Sequence, residues 1–473
     1  MMRLEVWLSE LLAGWLAVDS ENRFTFMYAP SWLSYEGRFP LSPRLPLTDA
    51  PPASPEAHSA VVRQFFDNLL PEGQALDAAA LAHGVAKSNL VGLLKALGRE
   101  SAGAFRFEIE KSPAATSGHD ESDPERQNQE PDAQDKDISG EPEFRRELTF
   151  AELSERIRAR PDTPFSVWDK RVRLSIAGLQ DKVAVVEWEG RWFLPDGSQS
   201  STHILKPDQP GRADRGITSN EFFCMRLALH AGLPVAPVSL VRVPEPVLVV
   251  DRFDRRWREN GQVQRLHIID GCQALGLPSS HKYEQQFGIG RDVAHIRDGA
   301  SLPRLFNLLR PGQVAAPAVE RQRLLRWALF QVMIGNTDAH AKNLSFFSTA
   351  GGLSIAPAYD LVNVLALADE RLDASYAMAI GDAFRYEDLN AEEWTDMALA
   401  CGLPPRLVAD TIATLASRVQ EVLPKVAEEV LREGALREVV ERAVAMTTSQ
   451  CAGVTTMAKG VRRPVRRGRQ SAV

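Results

Sequence analysis

Cysteine is scarce in this chain and scattered. The four, Cys224, Cys272, Cys401 and Cys451, show no Cys-x-x-Cys spacing. That argues against a thiolate metal cluster and a disulfide framework, and fits a reducing compartment. Long apolar runs are lacking too, none approaching the roughly 20 residues that span a bilayer, so no membrane association is expected. The opening Met1-Met2-Arg3-Leu4-Glu5-Val6-Trp7 lacks the charged and apolar regions of a secretory signal, and a cytoplasmic location is expected. Nor is positive charge in excess. A net charge of -7 and a pI near 5.8 exclude a global basic field for nucleic acid. Apolar residues are plentiful at 44%, enough for well-filled cores. A length of 473 residues calls for more than one domain.

Residues 3–28 alternate at Leu4, Val6, Leu8 and at Phe24, Phe26, Tyr28, the period of a β meander. Helices are expected around Phe65 and Phe66, over 75–83 and over 87–97, then a strand over 104–109. Residues 1–110 thus read as an α+β subdomain, with His58 and His83 at its surface. Residues 111–143 hold ten acidic and three basic side chains, with Ile138 as their one large apolar side chain. Such a segment buries too little to offset its ordering entropy, so 111–146 is expected to be an acidic disordered linker. A capping box is expected at Thr149 and Glu152. Strands are expected over 183–186, 191–194 and 202–207, a helix over 219–231, and a hairpin over 238–250. Further helices are expected over 391–401, 405–422, 426–433 and 436–446. The tail, 448–473, carries six basic residues between Lys459 and Arg469 and is expected to be disordered. A phosphate-binding tail and a solvated one are equally compatible with that composition.

The chemistry concentrates at Ile334-Gly335-Asn336-Thr337-Asp338-Ala339-His340-Ala341-Lys342-Asn343. Before it, Leu325, Leu329 and Val332 share one helical face, and Gly335 stops that helix. After it, two short strands flank a Gly-rich turn at 349–352 and lead to Tyr359 and Asp360. Phosphoryl transfer needs a carboxylate to orient the attacking hydroxyl and oxygen ligands for Mg²⁺. Asp338 and Asn343 have the Asp-x-x-x-x-Asn spacing of a kinase catalytic loop, and Asp360 adds a second carboxylate. Taken alone, that spacing more often marks a polar loop capped by Asp and Asn. Upstream, Ala177-Gly178 supplies a small-residue loop and Lys206 a strand lysine, the two parts a nucleotide lobe needs. A lone Lys206 equally suits an edge strand. Glu221 lies on the following helix, where it either pairs with Lys206 or simply favours the helix dipole. The charged run after the 247–250 strand begins with Asp251, Arg252 and Phe253, the place of a two-lobed kinase's hinge. The 266–286 segment shows no chemistry of its own.

Together these residues resemble the HipA family, the toxin kinases of bacterial type II toxin–antitoxin pairs. The resemblance is carried by Phe65-Phe66-Asp67-Asn68-Leu69-Leu70-Pro71, Ser175-Ile176-Ala177-Gly178 with Gln180 and Lys182, and Thr202-His203-Ile204-Leu205-Lys206. Asn220-Glu221, Arg252-Phe253-Asp254-Arg255-Arg256-Trp257, Gly276-Leu277-Pro278-Ser279-Ser280, Lys282-Tyr283-Glu284, the Asp338–Asn343 loop and Tyr359-Asp360 extend it over nearly the whole chain. It implies an α+β, two-lobed protein-kinase-like fold. An amino-terminal subdomain (1–110) and the linker precede a kinase amino-terminal lobe (147–255) and a mainly helical carboxy-terminal lobe (256–447).

It further implies an ATP- and Mg²⁺-dependent serine/threonine protein kinase. In that pattern Asp338 is the catalytic base, and Asn343 and Asp360 hold Mg²⁺. Ala177, Gly178, Leu179, Gln180, Asp181 and Lys182 form the phosphate loop, and Lys206 contacts the phosphates. Asp251, Arg252 and Phe253 form the hinge. His340 and Lys342 flank the phosphates, and Ala341, Asn343, Tyr359 and Asp360 complete the ATP site. Ser175 is the autophosphorylated serine, whose phosphate would compete with ATP for the same donors. The implied partners are a HipB-like helix-turn-helix antitoxin, operator DNA through that antitoxin, and a protein substrate of the aminoacyl-tRNA synthetase type. The acidic insert and the basic tail depart from the family pattern. Two rivals remain: a non-catalytic co-repressor that holds a DNA-bound antitoxin, and a small-molecule phosphotransferase.

Overall fold

The computed structural model describes residues 2–49, 54–97, 101–110, 146–160, 165, 167–168, 171–172, 181–195, 199–208, 216–288, 290, 292–367 and 374–461. Ser175, Ala177, Gly178, Leu179, Gln180, the 111–143 insert and the tail from 462 lie outside them.

The alternating Leu4, Val6 and Leu8 are buried along Met2–Leu8, the third strand of a four-stranded antiparallel sheet. Its order is Phe24–Tyr28, Leu11–Val18, Met2–Leu8, Phe105–Ile109. Helices Pro55–Asp67, Gly73–His83 and Leu90–Leu97 accompany it, and Phe65 and Phe66 fill the space between helix and sheet. Ser54 caps the first of these by accepting from the Ala57 amide at 3.3 Å, as a short oxygen side chain does at an N-cap.

The second sheet has six strands. Their order is Val238–Arg242, Pro246–Asp251, His203–Pro207, Val183–Trp188, Arg191–Phe193, Glu147–Leu148. Alternation along the strands decides what each face meets. Leu205, Val247 and Val249 join one core with Leu148, Leu153 and Trp168. Ile204, Leu248 and Val250 pack instead into the larger core with Phe222 and Phe223 of helix Ile217–His230. Lys206 shares parity with Ile204, so it faces that helix. Thr149 caps helix Phe150–Arg158, as expected, accepting from the Glu152 amide at 3.2 Å. The Glu152 carboxylate bonds Arg146 at 2.9 Å instead of closing a capping box.

The remainder is mainly helical: Pro317–Met333, Ala391–Ala400, Pro405–Arg432 and Arg437–Ala458, with a small sheet of Ile268–Asp270, Ser345–Thr349 and Gly352–Ile355. Two expectations need correction. The helices expected over 405–422 and 426–433 are one helix running through Pro424. A proline there costs about 3 kcal/mol, but Val419, Val422, Leu423, Val426 and Val430 all stay buried only if the helix continues. The last helix also runs past the expected 446 to Ala458, because Thr447, Gln450, Cys451 and Val454 carry the buried stripe onward.

Candidate active site

Strand parity brings the Lys206 ammonium to Glu221 Oε1 at 2.7 Å and to Asp360 Oδ1 at 2.8 Å. Glu221 sits near the start of its helix and is fully buried. The neighbouring Asn220 locks that helix to the segment after Asp360. It donates to the Asn363 carbonyl at 3.1 Å and accepts from the Asn363 amide at 2.7 Å. Asp360 itself adopts φ 58°, a left-handed conformation that short Asp side chains tolerate better than most. Burial would raise the Asp360 carboxyl, yet Lys206 and Lys182 hold it down at about 2. Burial, and then Lys206, push Lys182 down to about 8. Glu221 is pushed above the ordinary glutamate value because burial outweighs Lys206. Its Oε2 has no hydrogen-bond partner among the described residues.

Helix Pro317–Met333 delivers the second half of the site. Gly335, at φ 65°, turns the chain out of the helix as only glycine does without strain. The Asn336 amide group donates to Gln331 at 2.8 Å, and Asn336 Oδ1 accepts from the Asp338 amide at 3.2 Å. The Asp338 carbonyl accepts from the His340 amide at 2.8 Å and from Asn343 Nδ2 at 3.0 Å. The main chain of Asp338 is therefore fixed, while its carboxylate is exposed at the cleft. The surrounding cleft walls still raise its carboxyl above the ordinary aspartate value, against the lowering effect of a hydrogen bond from Tyr283. His340 is neutral, since burial and Lys282 push it down to about 3, and its Nδ1 has no partner among the described residues.

Asn343 spends its amide nitrogen on Asp338, so its oxygen is left as an acceptor. That oxygen and the Asp360 carboxylate are both hard-oxygen groups, the donor type that Mg²⁺ takes. No group of three His, Cys, Asp or Glu gathers as a self-sufficient metal site among the described residues. The unpartnered Glu221 Oε2 and His340 Nδ1 mark polar capacity beside Lys206 and Asp338.

Not every expected residue points into the cleft. The Lys342 ammonium bonds Asn68 Oδ1 at 2.9 Å, the Asn68 carbonyl at 3.1 Å and Asp270 Oδ2 at 2.5 Å. It ties the Asp338–Asn343 loop to the first subdomain. The Arg252 guanidinium turns likewise to Asp254 at 2.8 Å and to the Ser101 carbonyl at 3.3 Å. Ala341 is a buried packing residue against Cys272 and Ala300. Asp251 bonds His203 at 3.1 Å. Phe253 packs at a tilt on Tyr359, ring centroids 5.6 Å apart, and the Tyr359 hydroxyl donates to the Lys342 carbonyl at 2.6 Å. Asp181 carries a carboxyl raised by burial and stands 3.7 Å from Arg160.

Sequence reasoning missed Tyr283, whose hydroxyl meets Asp338 Oδ1 at 2.6 Å. The 266–286 segment, expected to carry no chemistry, therefore reaches the site. The Lys282–Glu72 ion pair at 2.7 Å was missed as well.

An antiparallel sheet carrying a lysine paired to a helix glutamate, set over a helical lobe with an Asp–Asn loop and a second Asp, defines a two-lobed protein-kinase-like fold. Residues 4–108 match the HipA N-terminal domain and residues 174–423 the HipA-like C-terminal domain. The serine/threonine-protein kinase toxin HipA of Shewanella oneidensis is 36% identical over 429 residues, 90% of this chain and 89% of that protein. The putative kinase Y4mE of Sinorhizobium fredii is 34% identical over 427 residues, 90% of this chain and 92% of that protein. The solved complex of Shewanella oneidensis HipA with HipB and operator DNA aligns with 98% of this chain and 100% of that one, at 33% identity and a TM-score of 0.80. This chain belongs to the HipA family of serine/threonine kinase toxins. No helix among its described residues is long and apolar enough to cross a membrane.

Proposed function

We propose that this protein transfers the γ-phosphate of ATP to a serine or threonine of another protein, with Asp338 as the hydroxyl-orienting base. The observation that carries the reading is the convergence of Lys206, Glu221 and Asp360 in one ion-paired cluster beside the braced Asp338–Asn343 loop. Lys206, held by Glu221, binds the phosphates. Asn343 and Asp360 offer oxygens to Mg²⁺, which when bound neutralises charge on the transferring phosphoryl group. Asp338 aligns the substrate hydroxyl and accepts its proton. Asp251, Arg252 and Phe253 border the adenine side, and Phe253 gains rigidity from Tyr359. Asp181 and Lys182 end the phosphate loop begun at Ala177. A phosphate on Ser175 would compete with ATP for the donors of that loop and switch the enzyme off.

The substrate class we favour is an aminoacyl-tRNA synthetase. The partner we favour is a HipB-like antitoxin that brings the kinase to its operator, a reading supported by the HipA–HipB–DNA complex of the Shewanella relative. Radiolabelled ATP added to cell lysate with wild type should label one dominant protein and the kinase itself, and Asp338→Ala should label neither. Mass spectrometry should place the kinase's phosphate on the Ser175 peptide. Equal labelling by Asp338→Ala removes the catalytic assignment. Growth arrest by that variant would favour a non-catalytic co-repressor, and label in small molecules alone would favour a metabolite phosphotransferase.

A further inference from the structure

The Tyr283 hydroxyl lies 2.6 Å from Asp338 Oδ1, and the phosphoryl-transfer roles proposed for the cleft do not include it. We infer that Tyr283 is a positioning residue that fixes the Asp338 carboxylate, reserving Oδ2 for the hydroxyl of the protein substrate. The inference rests on the assignment of Asp338 as the hydroxyl-orienting base.

The main chain of Asp338 is braced on both sides, but those bonds leave its side chain free to rotate. The phenol is the side-chain partner that the structure gives the carboxylate. For a base to work, its oxygen must face the substrate hydroxyl in a near-attack geometry, and one stray rotamer removes it from reach. A hydrogen bond to an ionised acceptor is short and directional, which suits the task.

Tyr283 can perform it only if it is itself immobile, and the chain on both sides shows that it is. Lys282 Nζ pairs with Glu72 at 2.7 Å, and the Lys282 carbonyl accepts from the Ala341 amide of the catalytic loop at 3.1 Å. Glu284 Oε1 accepts from Arg297 at 2.7 Å, and Glu284 Oε2 accepts from the Ala379 amide at 2.9 Å. The Glu284 amide donates to the Ala377 carbonyl at 2.9 Å. Gly299 packs so closely that a Cβ there would come within 1.8 Å of the Tyr283 carbonyl oxygen. The ring meets His340 edge to face, centroids 5.1 Å apart. Burial and the Asp338 charge both raise the phenol's pKa, so the hydroxyl keeps its proton and acts as donor throughout the working range. The alternative is that the phenol occupies the substrate's place on Asp338 and inhibits transfer. The two roles have opposite consequences.

Tyr283→Phe keeps the ring and removes only the hydroxyl. The positioning role predicts a kcat for protein phosphorylation roughly ten- to a hundredfold lower. The KM and equilibrium Kd for ATP should stay within about twofold of wild type, with the unfolding midpoint unchanged. A kcat equal to wild type overturns the inference, and a higher one identifies an inhibitory contact. If the midpoint falls as well, Asp338→Ala with and without Tyr283→Phe decides. No further loss on adding Tyr283→Phe supports positioning, and a further loss overturns it. Failure of the underlying reading is separately visible, because wild type would then transfer no phosphate, or Asp338→Ala would transfer as much as wild type.

Discussion

Lys206 is one ammonium between two carboxylates, Glu221 and Asp360, and the Glu221 side chain is wholly buried. Such a cluster is stabilising only while it is complete, because a buried charge without its partner costs several kcal/mol. Lys206→Met should lower stability by roughly 3 kcal/mol in a urea titration, besides weakening ATP binding. Adding Glu221→Gln should recover part of the loss, and a double variant less stable than Lys206→Met would refute the account of the cluster. Residues of this kind were legible in the sequence. Asp338 and Asn343 are close neighbours, and Lys206 and Glu221 lie 15 positions apart on successive elements. Lys342 was misread because its partner Asn68 is 274 positions away. Tyr283 was passed over because Asp338 lies 55 positions off. No spacing rule reaches that far; only the folded chain makes such pairs.

At the scale of elements, periodicity found the meander, the lysine strand and the helix before the catalytic loop. It stumbled where burial outweighed a local signal, at Pro424 and past Met446. Contacts between elements far apart in the chain were not readable. His267, just ahead of strand Ile268–Asp270, is an example. Its Nε2 contacts the Leu41 carbonyl at 3.2 Å, and its ring stacks on Phe39 at 5.6 Å and meets Phe105 at 4.8 Å. It thereby joins the helical lobe to the first subdomain. Burial lowers its pKa from 6.5 to about 4. The unfolded chain therefore binds a proton near pH 6.5 that the folded chain refuses until about pH 4. Its contribution is complete above pH 6.5 and is lost as pH falls toward 4, by at most about 3 kcal/mol. His267→Gln should flatten stability across that window while leaving the curve above pH 7 parallel to wild type. An unchanged slope between pH 6.5 and 4 would show that His267 does not carry the acid sensitivity.

Across the whole molecule the cleft is assembled from parts that lie far apart in sequence. The small-lobe sheet brings Lys206, the adjacent helix Glu221, the catalytic loop Asp338 and Asn343, and the chain after the hairpin Asp360. The first subdomain is built into this assembly. Its Asn68 and Glu72 hold Lys342 and Lys282, its Ser101 carbonyl accepts from Arg252 and Arg255, and its core is continuous with that of the helical lobe. On the proposed function, nucleotide binding and base catalysis are separable, with Lys206 serving the first and Asp338 the second. The most direct measurement is single-turnover transfer from ATP alongside equilibrium ATP binding, for wild type and Asp338→Ala. The variant is expected to keep a wild-type Kd, with transfer reduced at least about a hundredfold. A variant that transfers at the wild-type rate, or that loses binding and transfer together, would contradict that separation.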